Sequence, residues 1–82
     1  MLKRVFMTLD ELKNGHQARV TGISGHDPLA QRLMALGLLE GTEVRVTRRA
    51  LGGDPIEITI WGSTLSLRRE EARRITVAVP DG

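Results

Sequence analysis

Two histidines, and the carboxylate beside one of them, are the side chains best suited to holding a metal ion. The imidazoles are His16 and His26, and Asp27 directly follows His26. Imidazole, carboxylate and water together hold divalent ions such as iron or zinc weakly. The chain has no cysteine, and its histidines lack the spacing of a structural zinc site. His26 and Asp27 therefore predict at most a weak surface metal site with no required cofactor, or alternatively a helix cap beside a surface histidine.

No arrangement of nucleophiles or acids in the sequence is typical of an enzyme. Ser24, Ser63 and Ser66 fall in turn or strand contexts without a nucleophile elbow. Glu70 and Glu71 are adjacent, but their charged surroundings predict a solvated helix face. The "GLLEG" loop lacks the lysine of a phosphate-binding loop. We therefore predict that the protein is not an enzyme.

Length and composition predict one small domain, residues 1–82, in a reducing compartment. The 82 residues are 40% hydrophobic, which is enough for a single core. The absence of cysteine fits the cytoplasm. The longest apolar run, "LMALGLL", is far shorter than the ~20 residues that span a bilayer. We expect a cytoplasmic protein with no signal peptide and no direct membrane insertion.

Five segments with alternating apolar and polar residues predict five short β-strands. They are "HQARVTGIS", "EGTEVRVTRR", "IEITIW", "TLSL" and "ITVAV". Gly22 interrupts the alternation of the first, which predicts either a bulge or a sharp bend. Thr8 and Glu11 match a capping box, which predicts a short N-terminal helix. The "GS" pair at 62–63 predicts a tight hairpin turn. With one helix inserted between the first and second strands, the predicted fold is mainly β, a small SH3-like five-stranded barrel.

The inserted helix has clear start and stop signals in the stretch "DPLAQRLMALGLLEGTEVRV". Asp27 is a suitable N-cap, and Gly37 is suited to the left-handed residue that ends a helix. In a Schellman motif, Leu38 would then fold back onto Leu33. The helix and its turn should therefore bury these two leucines.

Met34, Leu36 and Leu39 have no such local role, and Arg32 and Glu40 flank them. An apolar patch with a charged rim is typical of a docking site. The predicted partner-binding set is Arg32, Leu33, Met34, Leu36, Leu38, Leu39 and Glu40. Two alternatives stay open: the segment caps an open end of the barrel, or it pairs with a copy of itself in a homo-oligomer.

A small-barrel nucleic-acid-binding module is the alternative function. "GHQARVTGISG" loosely resembles the KOW element, and Arg45, Arg48 and Arg49 are candidate phosphate contacts. However, the formal net charge is only +2, and Phe6 and Trp61 are the only side chains suited to stack on bases. No nucleic acid is therefore expected as the partner.

The ordered segments "MTLDELKNGHQARVTGI", "RLMALGLLEGTEV", "GDPIEI" and "LSLRREEARRI" resemble the FeoA family of bacterial ferrous-iron uptake. The resemblance runs from Thr8 to Val77. It implies an SH3-like barrel with extra helices and a non-enzymatic accessory or regulatory protein. The implied partner is the transporter FeoB, through its cytoplasmic GTPase part or its membrane part, and the leucine-rich segment is the implied contact. A metal-sensing or metal-carrying role through His26 and Asp27 is a third hypothesis.

Overall fold

One antiparallel sheet of six strands forms the framework of the computed structural model, which describes residues 3–81. The strands are β1 (Lys3–Thr8), β2 (Gln17–Ile23), β3 (Glu43–Arg49), β4 (Ile56–Ile60), β5 (Ser63–Leu67) and β6 (Ile75–Asp81). The helices are α1 (Pro28–Ala35) and α2 (Arg69–Ala72), with single 3-10 turns at Leu9–Glu11 and Leu51–Gly53. The strands lie side by side in the order β1-β6-β2-β3-β4-β5. The predicted mainly β class with one inserted helix is confirmed.

The predicted count of five strands is wrong, because β1 is a sixth strand at the N-terminal end. It pairs along its whole length with β6, placing Val5 opposite Val79 and Phe6 opposite Ala78. Both Val5 and Phe6 remain exposed, so β1 lacks the clear alternation of buried and polar residues that marks the other strands.

The expected N-terminal helix is only the 3-10 turn at Leu9–Glu11. The carboxylate of Glu11 accepts the backbone N–H of Thr8 at 2.9 Å, as a capping box requires. The capping-box signal therefore identified the right residues, but the element that they form is shorter than the predicted helix. The turn still buries Leu9 completely against the sheet.

The hairpin between β4 and β5 turns at Trp61 and Gly62, one residue before the predicted position. Ile60 pairs with Ser63, so only these two residues form the loop. Both have positive φ, 52° at Trp61 and 76° at Gly62, which is the backbone of a type I′ turn. The consequence is that Trp61 leaves the strand and projects from the tip of the hairpin.

The sheet curls around an aliphatic core. Its fully buried side chains include Leu9, Leu12, Leu33, Leu38, Val44, Val46, Ile56, Ile58, Ile75 and Val77. The predicted bulge is present in β2, between Val20 and Gly22. Bulges increase the local bend of a strand, which helps one apolar face to close on itself. β2 pairs with both β3 and β6 and so connects the two halves of the sheet.

Leu33 and Leu36 lie three residues apart in sequence but have opposite environments, which gives a stability test. Leu33 is fully buried, whereas Leu36 is 42% exposed. We expect Leu33→Ala to lower the free energy of unfolding by about 2–5 kcal/mol through lost burial and a cavity. Leu36→Ala should cost about 1 kcal/mol or less. Urea unfolding followed by circular dichroism measures both, and equal losses would contradict the assignment of Leu33 to the core.

Candidate partner-docking surface

Helix α1 is fixed at its start by the cap that the sequence predicted. The carboxylate of Asp27 accepts the backbone N–H of Ala30 at 3.3 Å, and Pro28 occupies the first helical turn. Ala30 and Leu33 face the core and are completely buried. The helix is thus held on the barrel by one apolar side.

Helix α1 ends in the predicted Schellman motif. The N–H of Gly37 donates to the carbonyl of Met34 at 2.9 Å, and the N–H of Leu38 donates to the carbonyl of Leu33 at 3.2 Å. Gly37 has a φ of 107°, which a residue with a side chain adopts only at a cost. Leu33 and Leu38 are both fully buried. These two members of the predicted partner-binding set pack in the core beneath the turn, so neither has a surface that a partner could contact.

The other apolar members of the predicted set face outward. Met34 is 38% exposed, Leu36 is 42% exposed and Leu39 is 50% exposed. We call residues 34–39 the leucine turn. Each of these three side chains is therefore partly buried and leaves the rest of its apolar surface open to solvent.

Trp61 adds an aromatic ring to this surface, and the sequence analysis did not include it in the site. A methyl group at Gly37 would lie 3.0 Å from Nε1 and 3.2 Å from Cδ1 of Trp61, so the ring lies directly against the glycine backbone. The side chain is nevertheless 76% exposed. Trp61 and the three exposed residues Met34, Leu36 and Leu39 together form what we call the docking surface. In the sequence, the only feature that could have indicated a role for Trp61 was its position beside Gly62 at a predicted hairpin turn.

The charged residues that flank the leucine turn differ in their roles. The guanidinium of Arg32 forms an ion pair with the carboxylate of Glu71, which joins α1 to α2. Glu71 also accepts the backbone N–H of Arg68 at 2.8 Å and is buried, so the prediction of a solvated face is wrong for this residue. Arg32 remains more than half exposed, and Glu40 is exposed beyond the turn. The two exposed charged residues therefore flank the leucine turn in the sequence.

The carboxylate of Asp27, predicted as a possible metal ligand, is engaged by protein groups. Its oxygens accept two hydrogen bonds from the guanidinium of Arg74, at 2.5 and 3.3 Å, besides the helix-capping bond. Arg74 also donates to the carbonyl of Ser24 at 2.9 Å, so it fastens the loop before α1 to the start of β6. His26 is exposed beside this cluster. Within residues 3–81 no three side chains of His, Asp or Glu come together as a metal site would require.

The arginines considered for phosphate contacts are distributed among different partners. Arg45 donates to the side-chain oxygen of Gln17 at 2.8 Å, and Arg48 lies 3.5 Å from the carboxylate of Glu57. The guanidinium of Arg49 donates to the carbonyl of Leu12. Each of these three cations therefore already has a partner within the protein. Across residues 3–81, no helix has both the length and the apolar character needed to cross a bilayer.

The fold defines a small SH3-like barrel with a helix and turn inserted after β2. A model of the FeoA domain matches residues 7–79, so the chain belongs to the FeoA family. The predicted family resemblance is thereby confirmed.

Two solved structures support this assignment. The FeoA protein of Chlorobium tepidum is 45% identical, with a TM-score of 0.82 over 89% of this chain and 70% of that chain. The FeoA of Stenotrophomonas maltophilia, solved with zinc and described as an SH3 domain protein, is 35% identical. Its TM-score is 0.78, over 87% of this chain and 88% of that chain. The predicted SH3-like class is therefore confirmed.

A third relative joins two components of iron transport in one polypeptide. It is a fusion of Fe(2+) transport protein A and the Fe(2+) transporter FeoB in Porphyromonas gingivalis. It is 34% identical over 71 residues, which are 87% of this chain. The match spans only 8% of the length of the fusion protein.

Replacing Gly37 tests the contact between the leucine turn and Trp61. We expect Gly37→Ala to lower the free energy of unfolding by about 1–2 kcal/mol, because a side chain at positive φ is strained. The added methyl group should also displace the Trp61 ring and change its fluorescence. Gly41→Ala is the matched control, since Gly41 has a φ of 90° but nothing within 4 Å of the added group. A fluorescence change of equal size in both variants would contradict the contact.

The pair of Asp27 and Arg74 gives a pH-dependent prediction. The guanidinium of Arg74 lowers the pKa of the Asp27 carboxyl below its ordinary value of 3.8. A carboxyl with a depressed folded-state pKa stabilises the fold above the unfolded-state pKa and loses that contribution as the pH falls through the folded value. We expect Arg74→Gln to raise the pKa of Asp27, as followed by NMR of its carboxyl carbon. An unchanged titration in the variant would show that the pair is not formed in solution.

Proposed function

We propose that this protein is an accessory component of bacterial ferrous-iron uptake that binds the cytoplasmic side of FeoB through the docking surface. Membership of the FeoA family supports the process. The Porphyromonas gingivalis fusion, which carries a related segment and FeoB in one chain, supports the choice of partner. In this proposal the protein changes the activity or assembly of the transporter and performs no chemistry itself.

The observation that carries the proposal is the exposed apolar surface formed by the leucine turn and Trp61. Leu36, Leu39 and Trp61 are 42%, 50% and 76% exposed. Tryptophan is enriched among the residues that dominate binding energy, and an apolar centre with a polar rim is the usual layout of an interface. Arg32 and Glu40, which flank the leucine turn in the sequence, are exposed charged groups. The surface therefore has the chemistry of a protein-binding site.

The backbone beneath this surface is already fixed in the free protein. The two hydrogen bonds of the Schellman motif and the buried side chains of Leu33 and Leu38 hold the turn in one shape. Binding a rigid surface costs less conformational entropy than ordering a flexible loop. A partner would gain most of the contact energy without first organising the turn.

A binding protein of this kind acts on its target by selecting among conformations. It shifts the balance between two states of the transporter only if it binds one of them more tightly. A stimulatory or inhibitory effect would therefore reflect which state of FeoB presents the complementary groove. This mechanism needs no catalytic residue on the barrel.

An NMR titration with the purified cytoplasmic GTPase part of the cognate FeoB tests the proposal. We expect amide shifts to cluster at residues 32–41 and at Trp61, including its indole N–H. Leu36→Asp should weaken binding at least about tenfold, because it places a charge in the apolar contact. The variant should keep its fold, since Leu36 is 42% exposed.

Leu51→Asp is the matched control for this experiment. Leu51 is fully exposed and precedes β4, whereas Trp61 follows the same strand, so the two lie at opposite ends of it. Unchanged affinity in this variant, with loss in Leu36→Asp, would assign binding to the docking surface. Equal loss in both variants would contradict that assignment. A second titration with full-length FeoB in detergent tests its membrane part, and absence of binding in both titrations would reject the proposed function.

A further inference from the structure

Strand β1 leaves one edge of the sheet open. It pairs with β6 on one side and is the terminal strand in the order of the sheet. The pairing continues without a register shift from Lys3 to Thr8, so no bulge interrupts it. Open edges present unpaired backbone groups, and proteins usually blunt them with proline, bulges or charges. Only Lys3 and Arg4 provide such protection in β1.

Two observations show which backbone groups point to the open edge. Arg4 lies opposite Pro80, which has no N–H to donate, and the N–H of Thr8 bonds to Glu11 instead of to β6. In an antiparallel ladder the residues of a strand alternate between facing the partner and facing away. The N–H and carbonyl groups of Arg4, Phe6 and Thr8 therefore point away from β6.

The side chains along this edge are unusually apolar. Phe6 is 61% exposed and Val5 is 39% exposed. At the opposite edge of the sheet, the exposed residues of β5 are Ser63, Thr64 and Ser66. The apolar edge therefore belongs to β1 alone among the two sheet edges described.

The charges at the two ends of β1 are opposite. Arg4 is an exposed cation near its start. Just past its end, the hydroxyl oxygen of Thr8 lies 2.5 Å from the carboxylate of Asp10 and 2.8 Å from that of Glu11. Asp10 also lies 3.6 Å from Arg73, whereas Glu11 is exposed. A strand that is basic at one end and acidic at the other matches an antiparallel copy of itself.

We propose that β1 pairs with β1 of a second copy of this chain, antiparallel and centred on Phe6. In this register Phe6 lies opposite Phe6 of the other copy, Val5 lies opposite Met7, and Arg4 lies opposite Thr8. Each Arg4 then reaches the carboxylate of Glu11 beside the other copy's Thr8. Phe6 then exchanges two backbone hydrogen bonds with Phe6 of the other copy, and the N–H of Arg4 donates to the carbonyl of the other copy's Thr8, whose own N–H stays bonded to Glu11. The two six-stranded sheets join as one.

The register also explains why a self-pair suits the side chains on both faces. Phe6 meets an aromatic ring on the outer face, which is a favourable cross-strand pair. On the core side, Val5 meets Met7, which is partly buried against the core. No two like charges are placed opposite each other. An acidic or polar strand of another protein would satisfy the backbone groups but not the Phe6 ring.

Sedimentation velocity of the intact protein over a range of concentrations tests this dimer. We expect a monomer–dimer equilibrium. Phe6→Lys replaces the central aromatic pair with two like charges, and Arg4→Glu removes two symmetry-related contacts with Glu11, so each variant should raise the dissociation constant by about tenfold. Arg48→Glu is the matched charge control on β3, three strands away from β1. Circular dichroism of each variant verifies that the monomer remains folded.

A single introduced cysteine tests the register, because the chain has no cysteine of its own. The Cα atoms of a hydrogen-bonded antiparallel pair are about 5.5 Å apart, within the range that a disulfide spans. Phe6→Cys should therefore form a covalent dimer with oxidised glutathione. Ser66→Cys, on the opposite edge, should not.

Three results would overturn the proposal. The first is a wild-type protein that stays monomeric to millimolar concentration. The second is a dimer that Phe6→Lys and Arg4→Glu leave intact, which would place self-association elsewhere, for example at the leucine turn. The third is a monomer whose β1 amides shift only when the GTPase part of FeoB is added, which would assign the edge to that protein. The β1 edge and the docking surface involve different residues. Loss of the proposed β1 dimer can therefore be distinguished from loss of FeoB binding.

Discussion

The left-handed backbone at Gly37 is the constraint on which the candidate site depends. It turns the chain sharply enough for Leu38 to return to the core beside Leu33, while Leu36 and Leu39 on either side stay outside. The absence of a side chain at the same position lets the indole ring of Trp61 rest on the main chain. A single residue thus separates buried from exposed leucines and brings two distant segments together. The exposed apolar side chains of this region and its fixed backbone shape both depend on Gly37.

Local signals in the sequence predicted the parts of the fold that depend on neighbouring residues. Thr8 with Glu11, and Asp27 before α1, are pairs or caps within four residues, and each forms as expected. The Schellman contact of Leu33 with Leu38 belongs to the same class, because the glycine that causes it lies between them in sequence. Strict alternation also predicted β2 to β4 and β6, since each buries one face. These features need no knowledge of the remainder of the chain.

Three of the features that sequence reasoning missed depend on distant partners. β1 exists because β6 offers it an edge, and its own residues carry a weak pattern. The contact of Trp61 with Gly37 joins residues on separate elements, so neither residue alone indicates it. Glu71 is buried because Arg32, on another helix, neutralises it, whereas its neighbours in sequence suggested a solvated face. Ionic and aromatic contacts between elements are set by the assembled fold, and single-sequence patterns do not encode them.

The position of Trp61 gives the protein an intrinsic optical reporter. It is the sole tryptophan in the sequence, there is no tyrosine, and it is 76% exposed beside the leucine turn. Ultraviolet excitation at long wavelength therefore observes this one location and no other. Water around the indole shifts its emission to the red, and any molecule that covers the ring reverses that shift. The emission wavelength of Trp61 therefore reports, without an added label, whether this surface is covered.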